Sequence, residues 1–169
     1  MHLHHEQTLP LDVTAAGRLL SDADFVAHRA SATGARVDDA LVTGSPDSSF
    51  TVTVRRSVPS DQIPAQARAF VGDRLEIRQV EAWEPQSGDR RTGTVVLEIT
   101  GTPVRLTGTL LLEASPDGAV LRYDGELKAS VPLFGAAIEK SAAEQIVRTI
   151  TLEKDATAAW IERHNLGES

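Results

Sequence analysis

The chain has 169 residues, 41% of them hydrophobic and 4% aromatic, with no cysteine and a formal net charge of -7. Its length fits one ordinary domain with enough apolar material for a core, which argues against disorder. The acidic balance gives a nucleic-acid surface no support, and the absence of thiols excludes disulfides, thiolate zinc sites, iron–sulfur clusters and a thiol nucleophile.

The apolar runs are too short to span a bilayer, and Met1 to Glu6 lacks the apolar centre of a signal peptide. The expectation is a soluble cytoplasmic protein with no integral membrane segment. A first strand over Leu3 to Leu9 ends at Pro10, and Asp12 is suited to cap a helix over Val13 to Leu20. A second short helix is expected from about Asp24 to Ala32, with Gly34 as its stop.

From there to about Ser130 the period becomes two, as in pleated strands. Phe50, Val52 and Val54 alternate with polar residues, as do Leu75 and Ile77, then Val95, Leu97 and Ile99, then Val104, Leu106, Leu110 and Leu112. In the last run Leu121, Tyr123, Leu127 and Ala129 share one side, and Arg122, Asp124, Glu126 and Lys128 share the other. Gly44-Ser45-Pro46-Asp47, Pro85 to Asp89 and Pro116-Asp117-Gly118 offer turn chemistry, so neighbouring strands pair antiparallel. Around Ile63 to Phe70 the period fails, and a short helix or irregular crossing is expected. After Pro132 a helix runs to about His164, a rod of about 45 Å, with Ile138, Ala142, Ile146, Thr149, Ala156 and Trp160 on its apolar side. No repeat or long linker divides the chain, so residues 1–169 are read as one domain.

A strand, two short helices, about six further antiparallel strands and a long C-terminal helix resemble the α+β helix-grip fold of the START (SRPBCC) superfamily, which includes birch pollen allergen-like proteins. The phrases His5-Glu6-Gln7-Thr8-Leu9-Pro10, Leu20-Ser21-Asp22-Ala23-Asp24-Phe25 and Val131-Pro132-Leu133-Phe134-Gly135 are similar to a domain-of-unknown-function family of actinobacterial proteins in that superfamily. The resemblance implies a curved sheet of about seven strands around the last helix, with a cavity between them for lipids, polyketides or other apolar molecules. The shared motifs concern packing and turns, so they imply a scaffold and no reaction.

The residues themselves leave the cavity open. Gly93, Gly101, Gly108 and Gly125 share the inward parity and remove volume, yet inward glycines also serve the bulges by which sheets curve. Only the resemblance tips the reading to a pocket, walled by Leu97, Leu110, Phe134, Ile138 and Ala142. Polar residues at inward parity, Arg56, Gln79, Glu81 and Tyr123, are candidates for orienting a guest. Arg56 and Glu81 are expected either to pair at the pocket mouth or to lie in water at strand ends. Trp83 and Trp160 are read as core or rim packing.

His2 and His4 share a side of the first strand and His5 points away, so an exposed strand is favoured over a metal site. His28 is read as a partly exposed packing residue. Asp22/Asp24 and Asp38/Asp39 read as caps and solvated turns. No phosphate loop, dinucleotide fingerprint or nucleophile elbow is present. The expectation is therefore noncatalytic binding of an apolar small molecule, with no cofactor and no nucleic-acid partner. The alternatives are a cyclase- or hydrolase-type enzyme using Arg56, Glu81 or Tyr123, and a protein-interaction module with a filled interior.

Overall fold

A computed structural model describes residues 1–59, 61, 65, 68–69 and 74–167. Strand β1 (His2–Leu9) turns Leu3, His5, Gln7 and Leu9 inward. The Asp12 carboxylate accepts the Ala15 N–H at 2.7 Å and so opens α1 (Val13–Leu20). Asp22 does the same for α2 (Ala23–Ser31), accepting from Phe25 at 3.0 Å. The second helix thus begins slightly before the expected Asp24, because a side-chain oxygen is available for its otherwise unpaired first-turn N–H groups.

Six strands follow: β2 (Arg36–Gly44), β3 (Phe50–Pro59), β4 (Arg74–Trp83), β5 (Arg90–Ile99), β6 (Val104–Ser115) and β7 (Gly118–Ala129). Successive members pair antiparallel, and β1 closes on β7, giving the order β1-β7-β6-β5-β4-β3-β2. A register shift between Val37 and Asp39 makes a bulge in β2, which hides its alternation in the sequence. Asp38 and Asp39 consequently lie in a strand and not in a turn, and Asp38 accepts a short hydrogen bond from Ser57. The crossing expected over 63–70 lies largely outside the described residues.

Two paired strands lack side chains at the same level. Gly108 of β6 stands opposite Gly125 of β7, and a Cβ on Gly108 would collide with the Asp124 carbonyl oxygen and come within 2.8 Å of the Gly125 Cα. A Cβ on Gly93 would meet the Ala82 oxygen at 2.6 Å. These two glycines allow close backbone approach, the packing reading of their small size. Gly101 belongs to the turn between β5 and β6, with φ +76°.

Helix α3 (Gly135–Arg163, 29 residues) reaches roughly 43 Å along the concave face. It is anchored near both ends. Glu139 accepts the Ala129 N–H of β7 at 3.1 Å, and Trp160 meets Phe25 of α2 edge-on at 5.7 Å between ring centroids. At one end of the sheet Trp83 stacks on Phe50 at 6.2 Å, with Leu9, Leu110 and Leu112 also buried in the core. This is the α+β helix-grip arrangement. Among the described residues no helix is long and apolar enough to cross a membrane.

Candidate functional site

Between the concave sheet and the middle of α3 lies a cavity of about 380 Å³, within the range of small-molecule sites. Leu75, Ile77, Val95, Leu97, Ile99, Val104, Leu106 and Leu127 line it from the strands, and Ile138, Ala142, Ile146 and Ile150 from the helix. The helix is held near its ends while small residues, Ala142 and Gly125, face the gap, so neither wall supplies enough side-chain volume to close it. A solid interior is not what these residues form.

Further along α3 the lining becomes polar, with Glu153, Lys154 and Thr157 joined by His5, Gln7, Arg29, Arg56, Gln79 and Tyr123. Arg56 Nη2 donates to Gln79 Oε1 at 3.1 Å and to Glu153 Oε1 at 3.0 Å. Gln79 Nε2 donates to Glu81 Oε1 at 2.9 Å, and the same carboxylate accepts from Trp83 Nε1 at 3.3 Å and the Tyr123 hydroxyl at 3.4 Å. Arg29 Nη2 stands 3.9 Å from Glu81, with its guanidinium 5.3 Å from the Phe25 ring centroid. Thr157 donates back to the Glu153 carbonyl at 2.7 Å.

Burial and charge act together here. Burial opposes the charge on Arg29, but Tyr123, Glu81 and Glu153 outweigh it and hold the guanidinium charged. Burial first, then the Glu81 charge, pushes the Tyr123 phenol well above its usual range, so it remains a hydrogen-bond donor. Burial, with Lys154 and His4 adding to it, lowers the pKa of His5 despite the opposing pull of Glu153. Among the described residues, His5 Nε2 and Arg56 Nε and Nη1 are buried without a hydrogen-bond partner.

Arg56 and Glu81 are only 4% and 1% exposed, so neither lies in water at a strand end. Nor do they pair directly. Arg56 is opposite Ile77 in register and meets Gln79 on the diagonal, so Gln79 stands between the two charges. Gln79, Arg56, Tyr123, Leu97, Ile138 and Ala142 line the cavity, whereas Glu81 backs it. Leu110 is in the core at 1% exposure and Phe134 lies 49% exposed at the start of α3, and neither lines it.

Arg29 and Glu153 escaped the sequence reading. Arg29 follows Phe25 and Val26 by four and three residues, a spacing that places it on the same helix face. His5 has the inward parity of Leu3 and Gln7 and so points away from His2 and His4, as expected. His4 Nδ1 and His2 Nδ1 instead approach Asp124 and Glu126 at 2.8 and 3.3 Å. Among the described residues, no group of three or more His, Cys, Asp or Glu is placed to hold a metal. His28 packs 5.0 Å from the Trp160 ring, which stacks on His164 at 4.2 Å.

The family described as "Protein of unknown function (DUF2505)" matches residues 4–161. The chain belongs to that family. Nothing among the curated proteins matches this DUF2505 chain. Its fold is similar to that of a STAR-related lipid transfer protein (fragment 25–204) from Xanthomonas axonopodis, with TM-score 0.57 and 16% identity over 93% of this chain and 85% of that one. It is also similar to Ara h 8.0201 (TM-score 0.53, 11% identity, 94% and 98% covered). A norcoclaurine synthase point mutant from Thalictrum flavum, in complex with a transition-state analogue, gives TM-score 0.53 and 13% identity with 94% of each chain covered. At these identities the likeness is one of fold, and the DUF2505 chain shares the helix-grip architecture with all three.

Proposed function

We propose that this protein binds an apolar small molecule, of lipid or polyketide type, between the curved sheet and α3, without converting it. The observation that carries this reading is the cavity of about 380 Å³ lined along most of its length by aliphatic side chains. An apolar guest there would regain dispersion contacts that the walls lack, and each Å² of its surface removed from water contributes roughly 25 cal/mol. The similarity in fold to a protein described as a lipid transfer protein lends support.

Gln79 and Tyr123 supply polar groups at one end that would orient the guest, as few-point polar recognition requires. Native mass spectrometry and organic extraction of the purified protein test the proposal. A stoichiometric apolar guest is expected, or, for protein emptied by extraction, saturable uptake of N-phenyl-1-naphthylamine. Protein that carries no guest and takes up no such neutral lipophilic probe would refute it.

A further inference from the structure

Four residues lining the cavity are cationic, Arg29, Arg56, Arg148 and Lys154, against Asp124 and Glu153, in a chain whose formal net charge is -7. Asp124 is engaged by His4, with its side chain 45% exposed. Arg148 and Lys154 are exposed as well, so the charges withdrawn from solvent are Arg29 and Arg56 against Glu81 and Glu153. Within this group Arg56 is singular. It is 4% exposed, it uses Nη2 on Gln79 and Glu153, and its Nε and Nη1 are buried with no partner among the described residues. Buried guanidinium N–H groups left without acceptors are expensive. His5 Nε2, also lining the cavity side of β1, is a second buried nitrogen without a partner.

We infer that the guest is a single-chain amphiphile bearing one carboxylate, which sits against Arg56 while its chain runs toward Ile138 and Val104. This rests on the binding function proposed above and names the class of ligand. A carboxylate is the acceptor that matches an unspent guanidinium edge, because its hydrogen bonds are charge-assisted. A cavity of about 380 Å³ falls in the small-molecule range, and a single alkyl chain is the simplest guest for its aliphatic walls.

The experiment compares dodecanoate with 1-dodecanol, each displacing N-phenyl-1-naphthylamine from the extracted protein at pH 7.5. Dodecanoate is expected to bind about tenfold tighter than the alcohol. Arg56→Met should abolish that preference. Glu153→Gln, which removes a negative charge beside Arg56 while keeping an acceptor for Nη2, should widen it severalfold, and it keeps the test alive if Arg56→Met does not fold. Equal affinities in the wild type, or a preference unchanged in Glu153→Gln, overturns the carboxylate assignment while leaving the cavity proposal standing. Failure of both probes to bind overturns both.

Discussion

The Tyr123 hydroxyl lies 3.4 Å from a Glu81 carboxylate that is itself 1% exposed. The two stand on β7 and β4, with β6 and β5 between them in the sheet, so this contact spans the concave face. It ties the polar end of the cavity to buried Arg29, Gln79 and Trp83.

Glu81→Leu removes the acceptor for those donors and leaves Arg29 beside an apolar side chain. Breaking a buried charge pair from one side costs about 3 kcal/mol or more. Urea unfolding of the variant should show a loss of that size with an unchanged m-value. A loss below about 0.5 kcal/mol would mean the network contributes little to the fold.

The His5 pKa is lowered in the folded protein, by burial first and then by Lys154 and His4. The unfolded chain therefore binds the His5 proton more readily, and folding stability from this group is complete above the ordinary histidine value of 6.5. It is lost as pH falls from that value through the depressed folded pKa. Thermal melts at pH 7.5 and 5.5 should show a lower Tm at the acid pH, and His5→Leu should flatten that difference. Asp124, whose pKa is lowered chiefly by the hydrogen bond with His4, acts in another window. Its contribution is complete above the ordinary value of 3.8 and is lost only below it.

Gly108→Ala and Gly125→Ala separate close backbone approach from mere space. The first puts a methyl into the Asp124 carbonyl, whereas the second meets the Thr107 oxygen at 3.2 Å and the Leu106 side chain at 3.4 Å. Gly108→Ala should cost about 1–3 kcal/mol and Gly125→Ala less, measured by the same unfolding. Equal costs would remove the claim that close backbone approach at Gly108 requires glycine.

Ala142→Phe projects a ring into the cavity from α3. Because the space is already present, Tm should hold or rise, while affinity for a neutral lipophilic probe should fall about tenfold or more. Unchanged probe binding would place the guest elsewhere.

Much of the fold was legible because it is local. Asp12 caps a helix through a residue three positions away, the strands from Phe50 onward announce themselves by alternation, and the span after Pro132 changes to helical spacing. Strand β2 was obscured by its bulge at Val37/Asp39, since one extra residue shifts the parity of those beyond it. Parity also put Arg56, Gln79, Glu81 and Tyr123 on the inner face, but it carries no information about reach. Gln79, bridging Arg56 to Glu81, shows the difference.

The pattern of apolar and polar residues by itself determined which side of each strand and helix avoids water, and with it the architecture. Tertiary structure alone decided that α3, anchored at Ala129 and at Phe25, bridges a gap too wide for Ala142 to fill. It alone brought Glu153 within 3.0 Å of Arg56 across 97 positions of chain. Period and turn chemistry act over a few residues, whereas a cavity is the volume left over when distant surfaces meet, and no local interaction encodes that remainder.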